Sequence, residues 1–277
     1  MTSGSGISRG WNKKAGCVMK TVLIVGVGNI GSRLYEEYRK LAPDRYDPCK
    51  GYEEKRDIRY DFAFLATDTP MKEDGSCDLS QVRQAIDETD AEVFVLRSTV
   101  PPGTTERLKA ETGKRIVFSP EFYGTTQHSD ENTFDFSFTI LGGGKQDCNA
   151  VIQLLQEIYD GRHRFRITDS TTAELTKYME NSMLAARVSF CVQFWEIAKE
   201  YGVSYPEMRE LLLNDERFSR AHTFVYDEHP YWESHCFDKD LRAIAGVSDA
   251  PLIDGVIRYN ERCKSRYGCR DLNRETG

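Results

Sequence analysis

Residues 20–31 read KTVLIVGVGNIG. The run Lys20–Gly26 is short, apolar and β-branched, which suits a strand buried on both faces of a parallel sheet. Gly26-Val27-Gly28-Asn29-Ile30-Gly31 follows at once, and an amphipathic stretch continues to Leu41. The order is therefore strand, G-x-G-x-x-G, helix. In that context the first glycine permits the turn and the second lets backbone approach a pyrophosphate. The third lets helix and strand pack closely. The N-terminus of the helix then faces the anion.

The chain beyond Gly31 repeats the pattern. A second short strand is expected to end near Tyr46-Asp47, where an acidic side chain can take the adenosine ribose hydroxyls and disfavour a 2′-phosphate. NAD is thus preferred over NADP. Further strands are expected at Asp61–Ala66, Glu92–Leu96, Arg115–Phe118, Phe136–Leu141 and Arg164–Ile167, with helices near Leu79–Glu88, Thr104–Thr112 and Asp147–Tyr159. Gly142-Gly143-Gly144 closes the strand that ends at Leu141. Such alternation implies an α/β fold with a doubly wound parallel sheet of Rossmann type. Ligands of such sheets sit beyond the carboxyl ends of the strands. The segments expected there are Thr67–Pro70, Ser98–Thr105 and Ser119–Phe122. They place hydroxyls and the Glu121 carboxylate along one rim.

Residues 167–202, ITDSTTAELTKYMENSMLAARVSFCVQFWEIAKEYG, read as one long helix over 168–202. Thr171 and Glu174 have the spacing of a capping box, and Gly202 is a stop signal. Apolar or small side chains recur at Leu175, Tyr178, Ser182, Ala186, Phe190, Phe194, Ile197 and Tyr201. At about 1.5 Å per residue the helix spans roughly 45 Å, enough to leave one domain and found the next. Lys177 and Asn181 are four apart and project from one face. The expected division is a leader over 1–18, a dinucleotide-binding domain over 19–168 and an all-α domain over 169–277. The latter has helices expected at Tyr205–Leu213, Lys239–Ala245 and Pro251–Lys264. Asn214–His235 is expected to be irregular and is rich in aromatic and polar groups. Cys236 stands just before an expected helix and close to Lys239, so its thiol is expected to be acidified and usable as a nucleophile.

Composition sets limits on this reading. The chain has 277 residues, 39% hydrophobic and 29% charged, with a formal net charge of −7. That balance argues against nucleic acid as a main partner. Eight cysteines are scattered without a CxxC pair, which points to reduced thiols in a cytosolic protein rather than to disulfides or zinc. No stretch is long and apolar enough to cross a membrane.

The ordered set GVGNIG, TDTP…DGSCDLS, STVPPGTT, SPEF, AELTKYMENSMLA and CFDKD resembles the UDP-glucose/GDP-mannose dehydrogenases, from about Lys20 to about Ile244. The resemblance implies oxidation of a nucleotide-sugar C6 alcohol to a carboxylate in two NAD-dependent steps, through a cysteine-bound thiohemiacetal and thioester. It makes Cys236 the nucleophile and puts Lys177 and Asn181 at the reacting oxygen. Glu121, Asp240 and Thr99 would manage water and protons. Gly26, Gly28, Asn29, Ile30, Gly31, Asp47, Thr67, Thr69, Ser98, Thr99 and Lys239 would bind NAD. Arg217 would reach the substrate of the second subunit, in a homodimer built on the long helix. Two departures accompany the resemblance. The family's third, nucleotide-gripping domain has no counterpart before Gly277. Tyr231-Trp232-Glu233-Ser234-His235 replaces a glycine-rich run, with Asp238 where the family has proline. They leave a smaller or differently shaped alcohol open as substrate. Two further readings also stay open: a two-electron oxidation resembling the short β-hydroxyacid dehydrogenases, and a nucleotide-binding protein without turnover.

Overall fold

The computed structural model describes residues 19–73, 75–122 and 137–268. The leader expected over 1–18 and the first residue of the strand expected from Phe136 lie outside the described residues.

Among the described residues, eight strands form one sheet. They are β1 (Val22–Val25), β2 (Asp44–Asp47), β3 (Tyr52–Glu53), β4 (Tyr60–Leu65), β5 (Ala91–Leu96), β6 (Ile116–Phe118), β7 (Phe138–Gly142) and β8 (Arg164–Thr168). Their order is β3-β2-β1-β4-β5-β6-β7-β8. The block β2-β1-β4-β5-β6 is parallel. The sheet is nevertheless mixed, because β3 runs antiparallel to β2 and β7 antiparallel to β6. β3, two residues long, has no hydrophobic signature and was not anticipated.

Side chains alternate across the sheet, so each central strand feeds two cores. Leu23 and Val25 face one, Val22 and Ile24 the other. Helices α2 (Ser80–Asp87) and α3 (Thr104–Thr112) cover the first face. Helices α1 (Asn29–Glu37) and α4 (Lys145–Leu155) cover the second. Burial on both sides is why these strands read as continuous apolar runs.

β8 ends at Thr168, and the long helix α5 (Ser170–Glu200, 31 residues) begins two residues later. After it come α6 (Tyr205–Leu212), α7 (His235–Val247) and α8 (Pro251–Tyr267). α7 starts four residues earlier than expected and takes Cys236 into its first turn. The capping-box reading of Thr171 and Glu174 is corrected. Asp169 caps α5, accepting from the Thr172 backbone N–H at 2.8 Å. Glu174 instead caps a different helix. Its fully buried carboxylate accepts from the N–H groups of Gly103 and Thr105, at 2.6 and 2.8 Å, and from the Thr105 hydroxyl at 2.6 Å. The carboxylate therefore satisfies the open start of α3 and ties the loop after β5 to α5. Glu174→Ala strands three donors and is expected to cost about 3 kcal/mol, read as a lower urea midpoint with unchanged slope.

The apolar stripe anticipated on α5 divides. Tyr178 is buried, but Leu175, Phe190, Phe194 and Tyr201 are exposed. The buried side instead uses small residues such as Ala173, Ala185 and Ser189, which let neighbouring elements approach. Leu175, Met179 and Met183 open onto an apolar groove of about 630 Å³ completed by Ile244, Leu252 and Val256.

Candidate active site

The glycine turn after β1 behaves as its sequence implies. Gly26 has φ +85°, and a Cβ there would lie 2.6 Å from the Ala66 carbonyl oxygen. A Cβ on Gly31 would lie 1.8 Å from the Gly26 carbonyl oxygen, so α1 could not seat on the turn. Gly28 differs: a Cβ would meet only the Lys50 ammonium, at 3.4 Å. The protein itself gives Gly28 no packing reason to be glycine. A ligand approaching its backbone would give one. Gly28 also precedes α1 without any side-chain cap, leaving the first N–H groups of that helix, from Asn29 and Ile30 onward, available to an anion.

A cleft of about 520 Å³ runs from Gly26 and Gly28 past Asp47 and Lys50 to Thr67. One oxygen of Asp47 accepts from the Val27 N–H at 2.8 Å, which fixes the carboxylate at the end of β2. Thr67 also lines this cleft, and its hydroxyl is buried without a partner. An open anion-ready helix start, a fixed carboxylate and an orphaned hydroxyl in one cleft fit a dinucleotide.

The three rim segments are stitched together by hydrogen bonds. Ser98 Oγ donates to the Thr67 carbonyl at 2.6 Å, Thr69 Oγ1 donates to the Thr99 carbonyl at 2.9 Å, and Arg97 donates to Ser119 Oγ at 2.8 Å. Thr99 itself is half-buried on this rim. The segments form one surface because each strand end is short and its hydroxyls bond across to the next loop.

Beside the rim, α5 and α7 meet. Lys177 is buried, with its ammonium 2.7 Å from Glu180 and 3.6 Å from Glu121. It also lies over the Phe122 ring, 5.3 Å from the centroid. One turn along α5, Asn181 Nδ2 donates to Asp240 at 2.5 Å. Lys239 pairs with the other Asp240 oxygen at 2.6 Å, and both residues are buried. Cys236, Lys239 and Asp240 have i, i+3, i+4 spacing and share one face of α7. Burial pulls the Lys177 ammonium down, but Glu121, Glu180 and Asp240 together hold it above its ordinary value. Lys177 is thus a fixed cation. Glu180 is a member of this cluster that the sequence reading missed. Its i+3 spacing from Lys177 was the available signal.

The thiol expectation is reversed. Cys236 is exposed, yet the protein around it desolvates the thiolate, and Asp240 and Glu121 add repulsion. Lys239 and Lys177 act in the opposite sense and do not prevail, so the Cys236 thiol is pushed up. Proximity to a lysine does not acidify a thiol when that lysine is already spent on a carboxylate. Alkylation of Cys236 by iodoacetamide, followed by mass spectrometry, should therefore be slow at pH 7. It should still be rising beyond pH of about 8.5, where an ordinary thiol is half ionised. A plateau reached below that pH would contradict this account.

Arg217 stands apart. Its exposed guanidinium is held by Asp215 at 2.6 Å, and it is not drawn into the cluster around Lys177.

Residues 48–162 match the NAD binding domain of the UDP-glucose/GDP-mannose dehydrogenase family, and residues 171–262 match the central domain of the same family. The chain belongs to that family. Among its relatives, the UDP-glucose 6-dehydrogenase of Haloferax volcanii is 30% identical over 272 residues, covering 87% of this chain and 61% of the relative. The UDP-glucose 6-dehydrogenase of Rickettsia prowazekii is 24% identical over 73% of this chain and 49% of its own length. The chain spans about half the length of most curated relatives it matches. A solved UDP-glucose dehydrogenase from Pyrobaculum islandicum has the same fold, with a TM-score of 0.73 and 22% identity over 93% of this chain and 70% of that one.

Proposed function

We propose that the protein is an NAD-dependent dehydrogenase that oxidises the primary alcohol of a nucleotide sugar to a carboxylate, with UDP-glucose to UDP-glucuronate as the default reaction. Support comes from the family match and from one contact above all, the 2.5 Å bond between Asn181 and Asp240. It brings the Lys177–Asn181 face of α5 against the Cys236–Asp240 face of α7.

NAD would lie along residues 26–31, Asp47, Thr67, Thr69, Ser98 and Thr99, with Lys239 near its reactive end, and would serve as hydride acceptor. Lys177 and Asn181 hold the substrate oxygen. Lys177 steadies negative charge as the alcohol loses its proton, a role suited to a buried, preset cation. Cys236 adds its sulfur to the carbonyl carbon of the aldehyde, and the thiol proton passes to a neighbouring carboxylate. After the second oxidation the sulfur is held as a thioester. Glu121, Asp240 and Thr99 orient the water that cleaves it, which releases the acid and returns the thiol. Arg217 would serve the site of a second copy. The exposed Leu175, Met179, Met183, Phe190 and Phe194 on α5 are the surface proposed for homodimer formation. Residues 19–168 and 169–277 are proposed as the two functional units, and the cytoplasm as their compartment.

The reaction is tested by stoichiometry. With NAD and UDP-glucose, two NADH per uronic acid are expected. One NADH with accumulation of an aldehyde would reject the cysteine route.

A further inference from the structure

An alcohol that gives up a hydride also sheds its hydroxyl proton, and that proton has to leave the site. The Lys177 side chain, placed at the reacting oxygen, is only 6% exposed. Glu121, Glu180 and Asp240 hold it as an ammonium, which has N–H donors and no acceptor, so it can take a proton only by passing one on.

Its three carboxylate neighbours are not equivalent outlets. Asp240 is 1% exposed, with one oxygen on Asn181 at 2.5 Å and the other on Lys239 at 2.6 Å. Glu121 stands 3.6 Å from the ammonium and is 11% exposed. Glu180 is the nearest and the most open of the three. Lys177 Nζ donates to its Oε2 at 2.7 Å, and its side chain is 26% exposed. Among the described residues its Oε1 has no hydrogen-bond partner. The i, i+3 spacing on α5 makes the contact with Lys177 a local property of the helix. Glu180 thus joins the buried ammonium to the open margin of the site. Burial, foremost, pushes the Glu180 carboxyl up; Lys177 draws it down, Glu121 and Asp240 push it up again, and the balance lies above an ordinary glutamate. Such a carboxyl accepts a proton more readily near neutral pH.

We propose that Glu180 is the proton outlet of the site, working through Lys177. As the carbinol C–H leaves as hydride to NAD, the alcohol O–H bond breaks and its proton passes to Lys177 Nζ. One Lys177 N–H proton passes at the same time to the Glu180 carboxylate, so Lys177 stays an ammonium throughout. The Glu180 carboxyl then releases the proton to water. Glu180 meets no substrate atom and is a positioning residue for the relay. This rests on the oxidation proposed above and adds the route of its proton.

The test measures single-turnover NADH formation from UDP-glucose in wild type, Glu180→Gln and Glu180→Ala, with NADH binding and urea midpoints as controls for folding. Glutamine keeps the contact with Lys177 but cannot accept a proton. Its rate should fall about 10²-fold, with the half-saturating UDP-glucose concentration within about threefold of wild type. Alanine leaves room for an added base. Acetate should raise its rate about tenfold, in proportion to acetate concentration, and leave the wild type unchanged. Trifluoroacetate carries the same charge with almost no basicity and should not rescue. A Glu180→Gln rate within about threefold of wild type refutes the outlet. So does a Glu180→Ala rate that acetate leaves flat, or that both anions raise equally, since Glu180 would then only brace Lys177. In these cases the oxidation proposal stands. One NADH per product refutes the thioester route, and acetate rescue then decides the outlet on the remaining step. No NADH from the wild-type chain refutes both.

Discussion

Cys236→Ser is expected to abolish formation of uronic acid while leaving the fold and the cofactor cleft intact. The residue is exposed in the first turn of α7, and the change alters one atom, so stability should move by no more than about 0.5 kcal/mol. The chemistry changes far more. A thiol supplies some thiolate near neutral pH, whereas a serine hydroxyl in the same place is far less acidic and gives up its proton to a neighbouring carboxylate much less readily. Acid production should fall by on the order of 10³-fold or more. NADH binding, followed by its fluorescence, should be unchanged. Acid formed at the wild-type rate would remove Cys236 from the reaction and the proposed mechanism with it.

Lys177→Met should lower kcat by about 10²- to 10³-fold, the range seen when one preset oxyanion donor is lost. KM for the sugar should change much less, because the ammonium matters most when charge develops on the substrate oxygen. The substitution has a second consequence. Glu121 and Glu180 face Lys177 from two elements, and the substitution removes the ammonium that both of them share. Burial already pushes Glu180 up, and Lys177 is the first influence that holds it down. In the methionine variant that carboxyl should take up a proton at a higher pH than in the wild type. Lys177→Arg should rescue poorly, because a planar fork cannot replace a point charge held over Phe122 and between two carboxylates. Steady-state kinetics across pH, with NADH binding as the control, separates these outcomes. A kcat within about threefold of wild type would mean that Lys177 only holds the two carboxylates, since a tenfold change corresponds to about 1.4 kcal/mol of transition-state stabilisation.

Local features of the sequence determined much of the fold. The apolar run Val22–Val25 can be satisfied only by burial on both faces, and the glycines at 26 and 31 are demanded by contacts within a few residues. The register of strands and helices along the chain follows from that periodicity, as does the length of α5. Residue spacing also put Lys177 with Asn181, since helical geometry is set by neighbours in sequence, whereas Asp240 joined Cys236 only through the CFDKD motif of the family resemblance. What crosses from one element to another was not available in this way. Glu174 sits five residues from the cap of α5, yet its partners are 69 and 71 residues away at the start of α3. The antiparallel turn of β7 against β6 depends on how the chain returns to the sheet. Whether Leu175 and Phe190 are buried depends on which side of α5 meets α7 and α8, and Ala185 and Ser189 decide that by allowing closer approach. The Cys236 thiol is the clearest case. Sequence supplied a neighbouring lysine, and only the tertiary structure showed Lys239 neutralised by Asp240 and the sulfur desolvated. Electrostatic free energy depends on every charge and every solvent-excluded atom within several ångströms, and a linear spacing records only a few of them.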